Sequence, residues 1–468
     1  MMRDPISLFV TRTIVRIREN KHTFFPIALY NSSLNHKVDS FMLARWLYTV
    51  AFYLAIPLLL FRLFKRKKSN PGYGARIGER FGFYSHPKLQ GSIWFHTVSV
   101  GEFLAAKPLI DRVMAAHPQR RFVITNMTPT GAEQVRGAYS DQIANGEVIN
   151  VYLPYDLPDA VGRFLRRFDP CLSVIMETEL WPNVIHGCHS RKIPVLVANA
   201  RLSEKSARGY EKVAALFRPM VSQITCVAAQ SLQDGERFLR LGLPKLSLKI
   251  NGTVKFDVNV DEALHQRASD LRVQWGEQRN VVIAASTHRG EDEQILEAFL
   301  YIRTQVPGSL LVLVPRHPER FDEVAALVRK RGLNLSRISQ GERIGEECEV
   351  VLGDTMGDLL RMLGAADVAF VGGSLLPVGG HNMLEALAMG TPAITGPHVF
   401  NFQMVADMLT EKQVLITVNS PLALAETVLD LFQHIERRNE LAWLGAQVVN
   451  ENRGATQRLF DLIQSYIG

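Results

Sequence analysis

From residue 69 onward, short apolar runs alternate with longer segments whose apolar positions recur at helical spacing. This is the pattern of strands buried on both faces between covering helices. Strands are predicted at 93–96, 122–125, 172–176, 195–198 and 225–228, and a second series at 281–285, 310–314, 350–352, 367–371, 393–395 and 414–417. The alternation implies two parallel α/β layers of similar size, with the carboxyl ends of their strands facing a common cleft. The polar segment 257–279 reads as the connection between them, and 421–468, without strands, as helices returning to brace the first domain. No short internal repeat marks a solenoid.

Upstream the pattern changes. Residues 46–61 carry no charge and are bounded by Arg45 and by Arg62, Lys65, Arg66, Lys67 and Lys68. A bilayer span takes about 20 residues, a length that 41–64 reaches if the flanking arginines snorkel. A single membrane anchor is expected; the alternative, favoured by Pro57, is a buried or interfacial helix. A cleaved signal peptide does not fit, because the run starts 40 residues in and no small-residue cleavage site follows. Residues 1–40 show no period and are left as an unassigned extension. The division is therefore 1–40, an anchor and basic cluster at 41–68, a first Rossmann-like domain at 69–258, a second at 259–420, and the terminal helices at 421–468.

Charge sharpens this. The formal net charge is +7, but residues 1–80 hold 14 Lys/Arg against 4 Asp/Glu, leaving 39 against 42 for the rest. The basicity belongs to the N-terminal segment, which points to an anionic membrane and away from nucleic acid. The denser basic cluster after the apolar run favours a catalytic body on the cytoplasmic side. Cys171, Cys188, Cys226 and Cys348 lie far apart with no CxxC pair, so free thiols in a reducing compartment are expected.

The candidate chemistry gathers after strands. Residues 371–403, VGGSLLPVGGHNMLEALAMGTPAITGPHVFNFQ, leave a strand, pass four glycines and enter a helix near Asn382. Backbone N–H groups at such a helix start suit an anion, and Glu385 one turn in suits a ribose diol. The alternative is a Gly-rich turn with no ligand. In the first domain Glu102 follows a strand, either as a general base or as a first-turn acid complementing the helix dipole. Glu177 and Glu179 alternate in direction if their strand persists, so only one need face a substrate. Arg201 and Lys255 stand at corresponding strand ends, and Arg316 can fork onto phosphate or carboxylate. His288, His317 and His381 lie on separate loops without metal-ligand spacing, so hydrogen bonding is expected of them and no metal is. There is no Walker loop and no Gly-x-Ser-x-Gly elbow.

In order along the chain, SVGE, TNMTPTG, METELWPN, NARLSEKS, KFD, ASTHRGE, PRHPERF, GDTMGDL and GGSLLPVGGHNMLEALAMG resemble the motifs of the 3-deoxy-D-manno-oct-2-ulosonic acid (Kdo) transferases of Gram-negative bacteria. The resemblance runs from about residue 46 to the C-terminus. It implies a GT-B glycosyltransferase fold, two Rossmann-like domains facing a central cleft behind an N-terminal membrane-anchoring helix, with 69–258 as the acceptor domain and 259–420 as the CMP-sugar-binding domain. It also implies inverting transfer of Kdo from CMP-Kdo to a lipid A precursor (lipid IVA) at the inner membrane, in lipopolysaccharide core biosynthesis. By motif, Glu102 would be the proton acceptor, with Glu177 and Lys255 as transition-state stabilisers. CMP contacts would fall on Pro315, Arg316, Met356, Gly357, Asp358, Asn382, Met383, Leu384 and Glu385. Further donor or acceptor contacts are expected at Ser99, Arg201, His288, Gly373 and Ser374, with the turn at 372–374, Lys255 and Arg316 receiving the departing phosphate. Asp358 stands where glutamate is commoner in the family and Met383 where proline is. No cofactor, no metal, no nucleic-acid partner and a monomer are expected. Two other readings remain: a GT-B enzyme for another nucleotide sugar, such as a UDP-sugar transferase or epimerase, and a membrane-tethered nucleotide-sugar-binding module. The donor's carboxylate separates the first, because it asks for extra cations such as Arg201 and Lys255.

Overall fold

The computed structural model describes residues 35–467 apart from 69, 342 and 343, and the chain divides into two compact units. One runs up to residue 254 and takes back 454–467; the other is 255–453. The expected extension lies outside the described residues as far as residue 34, and its last residues already belong to the helix Asn35–Lys67.

The first unit is built on an all-parallel sheet of β1 (Ser92–His96), β2 (Phe122–Asn126), β3 (Val148–Tyr152), β4 (Pro170–Met176), β5 (Val195–Ala200), β6 (Cys226–Ala229) and β7 (Leu248–Ile250). The spatial order is β3-β2-β1-β4-β5-β6-β7, so the winding reverses between β1 and β4, where Ile93 lies opposite Leu172. Successive side chains serve opposite faces: Ile93, Phe95, Ile124 and Val174 join one core, and Trp94, Val123 and Ile175 the other.

The second unit repeats the plan with β8 (Val281–Thr287), β9 (Leu310–Pro315), β10 (Leu335–Arg337), β11 (Val350–Leu352), β12 (Val368–Val371), β13 (Ala393–Thr395) and β14 (Leu415–Thr417). Its order is β10-β11-β9-β8-β12-β13-β14, with the reversal between β8 and β12. Strands β3, β7 and β10 are absent from the sequence reading, and all three lie at sheet edges.

Two other expectations change. The polar stretch 257–279 contains the helix Glu262–Trp275, started by Asp261, whose carboxylate accepts the Leu264 N–H at 2.7 Å. That helix buries Ala268, Leu271 and Trp275 in the second unit's core, so it is an integral element there. Of the C-terminal helices, Pro421–Gln433 and Ile435–Asn452 pack in the second unit through Leu424, Val428, Val448 and Val449. Only Ala455–Ile467 returns to the first, laying Leu459 and Ile463 into its core beside the helix Val100–Ala116.

The helix Asn35–Lys67 belongs to the first unit. Phe41, Tyr48, Phe52, Ala55, Leu59 and Leu63 are its buried stripe. Tyr48 donates its hydroxyl to Asp156 at 2.9 Å, and Asp156 also accepts the backbone N–H groups of Asn183 and Val184. Burial still outweighs these donors and pushes the Asp156 carboxyl up to about 6. The four cysteines are free thiols.

Close backbone approach makes one glycine decisive. A Cβ on Gly396 would collide with the Ser374 carbonyl group, whereas one on Gly137 meets nothing within 4 Å. Gly396→Ala is expected to cost the second unit about 1–3 kcal/mol through overpacking, read as a lower denaturation midpoint. Gly137→Ala, in the helix Pro129–Ala138, should leave stability unchanged or raise it.

Candidate active site

In open parallel sheets a ligand crevice forms beyond the strands' carboxyl ends where the winding reverses. In the first unit these are the loops leaving β1 and β4. After β1, Ser99 caps the helix Val100–Ala116, its hydroxyl oxygen accepting the Glu102 N–H at 3.4 Å. Glu102 reaches back, accepting the Val98 N–H at 2.8 Å and the Ser99 hydroxyl at 3.2 Å. The arrangement is a reciprocal capping motif, and it holds a carboxylate that is only 6 % exposed at the mouth of the sheet. Burial first, then the neighbouring Glu179 and Glu177, push the Glu102 carboxyl well above the usual range.

Strand β4 stops at Met176, and Glu177 turns into the left-handed region with φ 57°. Its N–H donates to the Ala198 carbonyl at 2.9 Å. The alternation expected for Glu177 and Glu179 therefore ends with the strand, and both carboxylates bear on Glu102. Glu179 accepts the Trp181 indole N–H at 3.1 Å, and the Thr178 hydroxyl donates to the Arg201 carbonyl, tying this turn to the one after β5.

In the second unit the corresponding loops leave β8 and β12. Glu291, fully buried, accepts backbone N–H groups from His288 (3.0 Å), Gly373 (2.6 Å), Ser374 (2.9 Å) and Leu375 (2.9 Å). It clamps the Gly-rich turn onto the loop after β8. His288 and His381 stack with ring centroids 5.0 Å apart and share a 2.8 Å contact between their Nε2 atoms. Burial, with His288, Arg316 and His317 adding repulsion, pulls His381 down to about 3, and burial lowers His288 as well, so both rings favour the neutral form at physiological pH. Burial raises the Glu385 carboxyl, opposed by a hydrogen bond from Asn382 and by the nearby Arg316 guanidinium. The Lys255 ammonium donates to the Asn401 carbonyl at 3.1 Å and lies 4.3 Å from the Phe402 ring centroid. Beneath them Arg320 pairs with buried Asp292 and donates to the Thr287 carbonyl.

Residues 75–258 match the family model described as 3-deoxy-D-manno-octulosonic-acid transferase (kdotransferase), and 293–444 match glycosyl transferases group 1. The 3-deoxy-D-manno-octulosonic acid transferase of Haemophilus influenzae is 44% identical over 90% of this chain and 99% of its own. The chain belongs to the Kdo transferase family. The Bordetella pertussis transferase is 34% identical over 91% of this chain and 100% of its own. The UDP-GlcNAc 2-epimerase of Neisseria meningitidis, 14% identical, covers 80% of this chain and 100% of its own with a TM-score of 0.52, a likeness of fold alone. The two parallel seven-stranded Rossmann-like sheets are of the GT-B class, and Kdo transfer makes this a glycosyltransferase enzyme.

For a Kdo transferase, the motif residues fall into two groups. Ser99, Glu102 and Glu177 share the reversal of the first sheet, with Arg201 joined to them through Thr178. His288, Arg316, Gly373, Asn382 and Glu385 gather around the reversal of the second, where Pro315 ends β9. Several expectations are corrected. The helix near Asn382 begins at Leu384 and is short, and the Asn382 side chain accepts the Leu384 N–H at 3.3 Å. The N–H groups of Gly373 and Ser374 hold Glu291 where a phosphate was expected, and the Ser374 hydroxyl is spent on the Val371 carbonyl and the Gly396 N–H. Met383 and Leu384 send their side chains into the core at 0 % exposure, leaving only backbone for a ligand. Met356 is exposed, Gly357 has φ 88°, and Asp358 accepts the Thr355 hydroxyl at 2.8 Å beside Arg361. Glu179, named beside Glu177 but given no role by the motifs, and Glu291 are the residues left without an assignment. Glu291 stands inside the quoted ASTHRGE motif, but three of its four donors lie some 80 residues away and leave no local signal.

Glu291→Gln would turn an amide N–H₂ toward backbone donors and remove the charge they face. It is expected to lower the stability of the transferase by about 2–3 kcal/mol, measured by denaturant titration.

Proposed function

We infer that this transferase moves Kdo from CMP-Kdo to a lipid A precursor such as lipid IVA by a single inverting displacement, in lipopolysaccharide core biosynthesis. The observation that carries the reading is the Glu102 carboxylate, buried at the first sheet's reversal, hydrogen-bonded to Val98 and Ser99, and set against two further carboxylates. Desolvated carboxylates of raised pKa are suited to general-base work. Glu102 takes the proton from a glucosamine hydroxyl of the acceptor as that oxygen bonds to the ketosidic carbon. The bond from that carbon to the cytidylate oxygen breaks, and CMP leaves with the electron pair. Positive charge developing on the sugar is stabilised by Glu177 and, on the same geometric grounds, by Glu179.

For the donor, Glu385 accepts from the ribose hydroxyls while Pro315, Arg316, the loop 356–358 and the backbone of 382–384 contact CMP. Because Glu291 already fills the Gly-rich turn, the phosphate charge falls to the side chains of Arg316 and Lys255. The neutral His288–His381 pair offers hydrogen bonds to the sugar acid without adding charge. No step calls for a metal, because CMP is already a good leaving group and positioning with charge stabilisation supplies the rest. Attachment to the cytoplasmic membrane, with the catalytic body on the cytoplasmic side, rests on the helix Phe41–Lys67, the one described helix long and apolar enough to cross a bilayer.

Glu102→Gln should bind CMP-Kdo as the native chain does and lose transfer by ~10²- to 10⁴-fold, assayed by weighing the product formed from CMP-Kdo and a tetraacylated disaccharide precursor. Wild-type turnover in this variant would remove Glu102 as the base. The pH profile gives a second test. A base works ionised, so the rate should rise with pH through a limb set above the ordinary glutamate range by burial, Glu179 and Glu177. Removing one of those negative charges in Glu179→Gln lowers the Glu102 pKa and should move the limb to lower pH; an unmoved limb would assign it to another group.

A further inference from the structure

The helix Asn35–Lys67 passes a length and composition test for a membrane span, yet its contacts describe a different arrangement. Its buried stripe runs from Phe41 to Leu63, which is about 33 Å of helix at 1.5 Å per residue, as long as the hydrocarbon layer is thick. Along that stripe it is fastened by polar contacts from the middle of the apolar run. Tyr48 donates to Asp156 at 2.9 Å, Asn183 donates to the Thr49 hydroxyl at 3.1 Å, and Tyr53 donates to Asp159 at 2.5 Å. A helix crossing the bilayer in this state would draw Asp156, Asp159, Asn183 and Arg163 into hydrocarbon, where each polar group is costly. The opposite face is free of the fold and apolar: Leu43, Trp46, Leu47, Leu54 (77 % exposed), Leu58 and Phe61 are bare.

A cationic recess adjoins this face. Asp159, which holds Tyr53 of the helix, also pairs with Arg163 at 2.7 Å, and the Arg163 guanidinium lies 4.5 Å from the centroid of the exposed Phe83 ring. Arg163 and Phe83, together with Lys88, Arg166 and Arg167, line a recess of about 410 Å³. The helix Pro158–Phe168 that supplies the arginines descends from the end of β3 to the start of β4, so Arg166 and Arg167 sit at the end of the sheet opposite Glu102. The recess is therefore no part of the reaction site, and Lys65–Lys68 add more positive charge past the end of the apolar run.

Resting on the membrane attachment inferred above, we propose that the first unit docks side-on to an anionic phospholipid bilayer, the helix lying in the plane of the membrane interface and the Lys88–Arg163–Arg166–Arg167 recess seating a headgroup phosphate. The bare face then enters the headgroup–acyl boundary as interfacial amphipathic helices do, while the polar fastenings stay with the protein. Anionic headgroups complement the rim.

The test uses the full chain with Cys171→Ser, spin-labelled singly at Leu47→Cys, Leu54→Cys and Phe61→Cys on phosphatidylglycerol-containing vesicles. Label depth is read from collision with oxygen and with a water-soluble nickel chelate. Equal, shallow depths at the three positions are expected; a maximum at 54 flanked by shallow values at 47 and 61 would establish a crossing helix and overturn the proposal. Phosphatidylglycerol vesicles should bind the chain more tightly than pure phosphatidylcholine. The double variant Arg166→Glu, Arg167→Glu should lose affinity for the anionic vesicles by at least about tenfold. Equal binding of variant and native chains would remove the headgroup seat. Depth and partition are read without turnover, so a failure of the assigned reaction would leave this result standing, and the reverse.

Discussion

A carboxylate taken out of water stays charged only where hydrogen-bond donors or cations meet it, and this fold meets its buried acids largely with backbone amides. Glu291 draws four N–H groups from two loops and so fixes the Gly-rich turn. Glu102 takes the Val98 N–H at a helix start. Asp156 takes two amides at the start of the helix Pro182–Ser190 and holds Tyr48 of the long N-terminal helix. The three acids differ in what remains. Glu291 is fully subscribed and structural, whereas Glu102 keeps a pKa raised by burial and then by two acidic neighbours, and thus a reason to accept a proton.

The reversal points of the two sheets show how the parallel architecture places these groups. At the ends of β4, β5 and β8 the backbone takes the left-handed conformation at Glu177 (φ 57°), Asn199 (φ 52°) and Ser286 (φ 57°), none of them glycine. Each such residue costs about 1–3 kcal/mol, and each lies where its strand opens into a loop beside a reversal or its neighbour. Asn199 is the best suited by residue type, and its side chain accepts the Val254 N–H at 3.2 Å, just before the chain passes to the other unit.

Much of this was legible in the residues. Central strands such as 281–285 and 172–176 are continuous apolar runs because helices cover both faces, and they read clearly. The missed strands β3, β7 and β10 are edges. VINVY is interrupted by Asn150, while LKI and LSR are short, have no buried residue and bear cations, so periodicity had little to register. The helix Glu262–Trp275 looked like a linker because its buried positions are few and its other faces charged. The motifs named Glu102 and Glu177, but the sequence offered no means of seeing that Glu291 fills the Gly-rich turn or that Glu179 joins Glu102, since both depend on loops brought together by strand order. Likewise Met383 sits in a motif yet points inward, a matter of how the turn before the helix packs on the core, which a motif does not encode.

The chain leaves the first unit after residue 254 and re-enters it at 454. Ala455, Leu459, Ile463 and Ile467 fill the core beside β1 and the helix that carries Glu102. During synthesis, then, the second unit has its whole sequence before the first does, although the first begins to emerge earlier. Domains tend to fold as units while the ribosome elongates them, but here the half bearing Glu102 stays an unfinished layer until residues 455–467 have been read. A ribosome that stops before residue 455 would release the second unit with its core complete and the first still missing one wall.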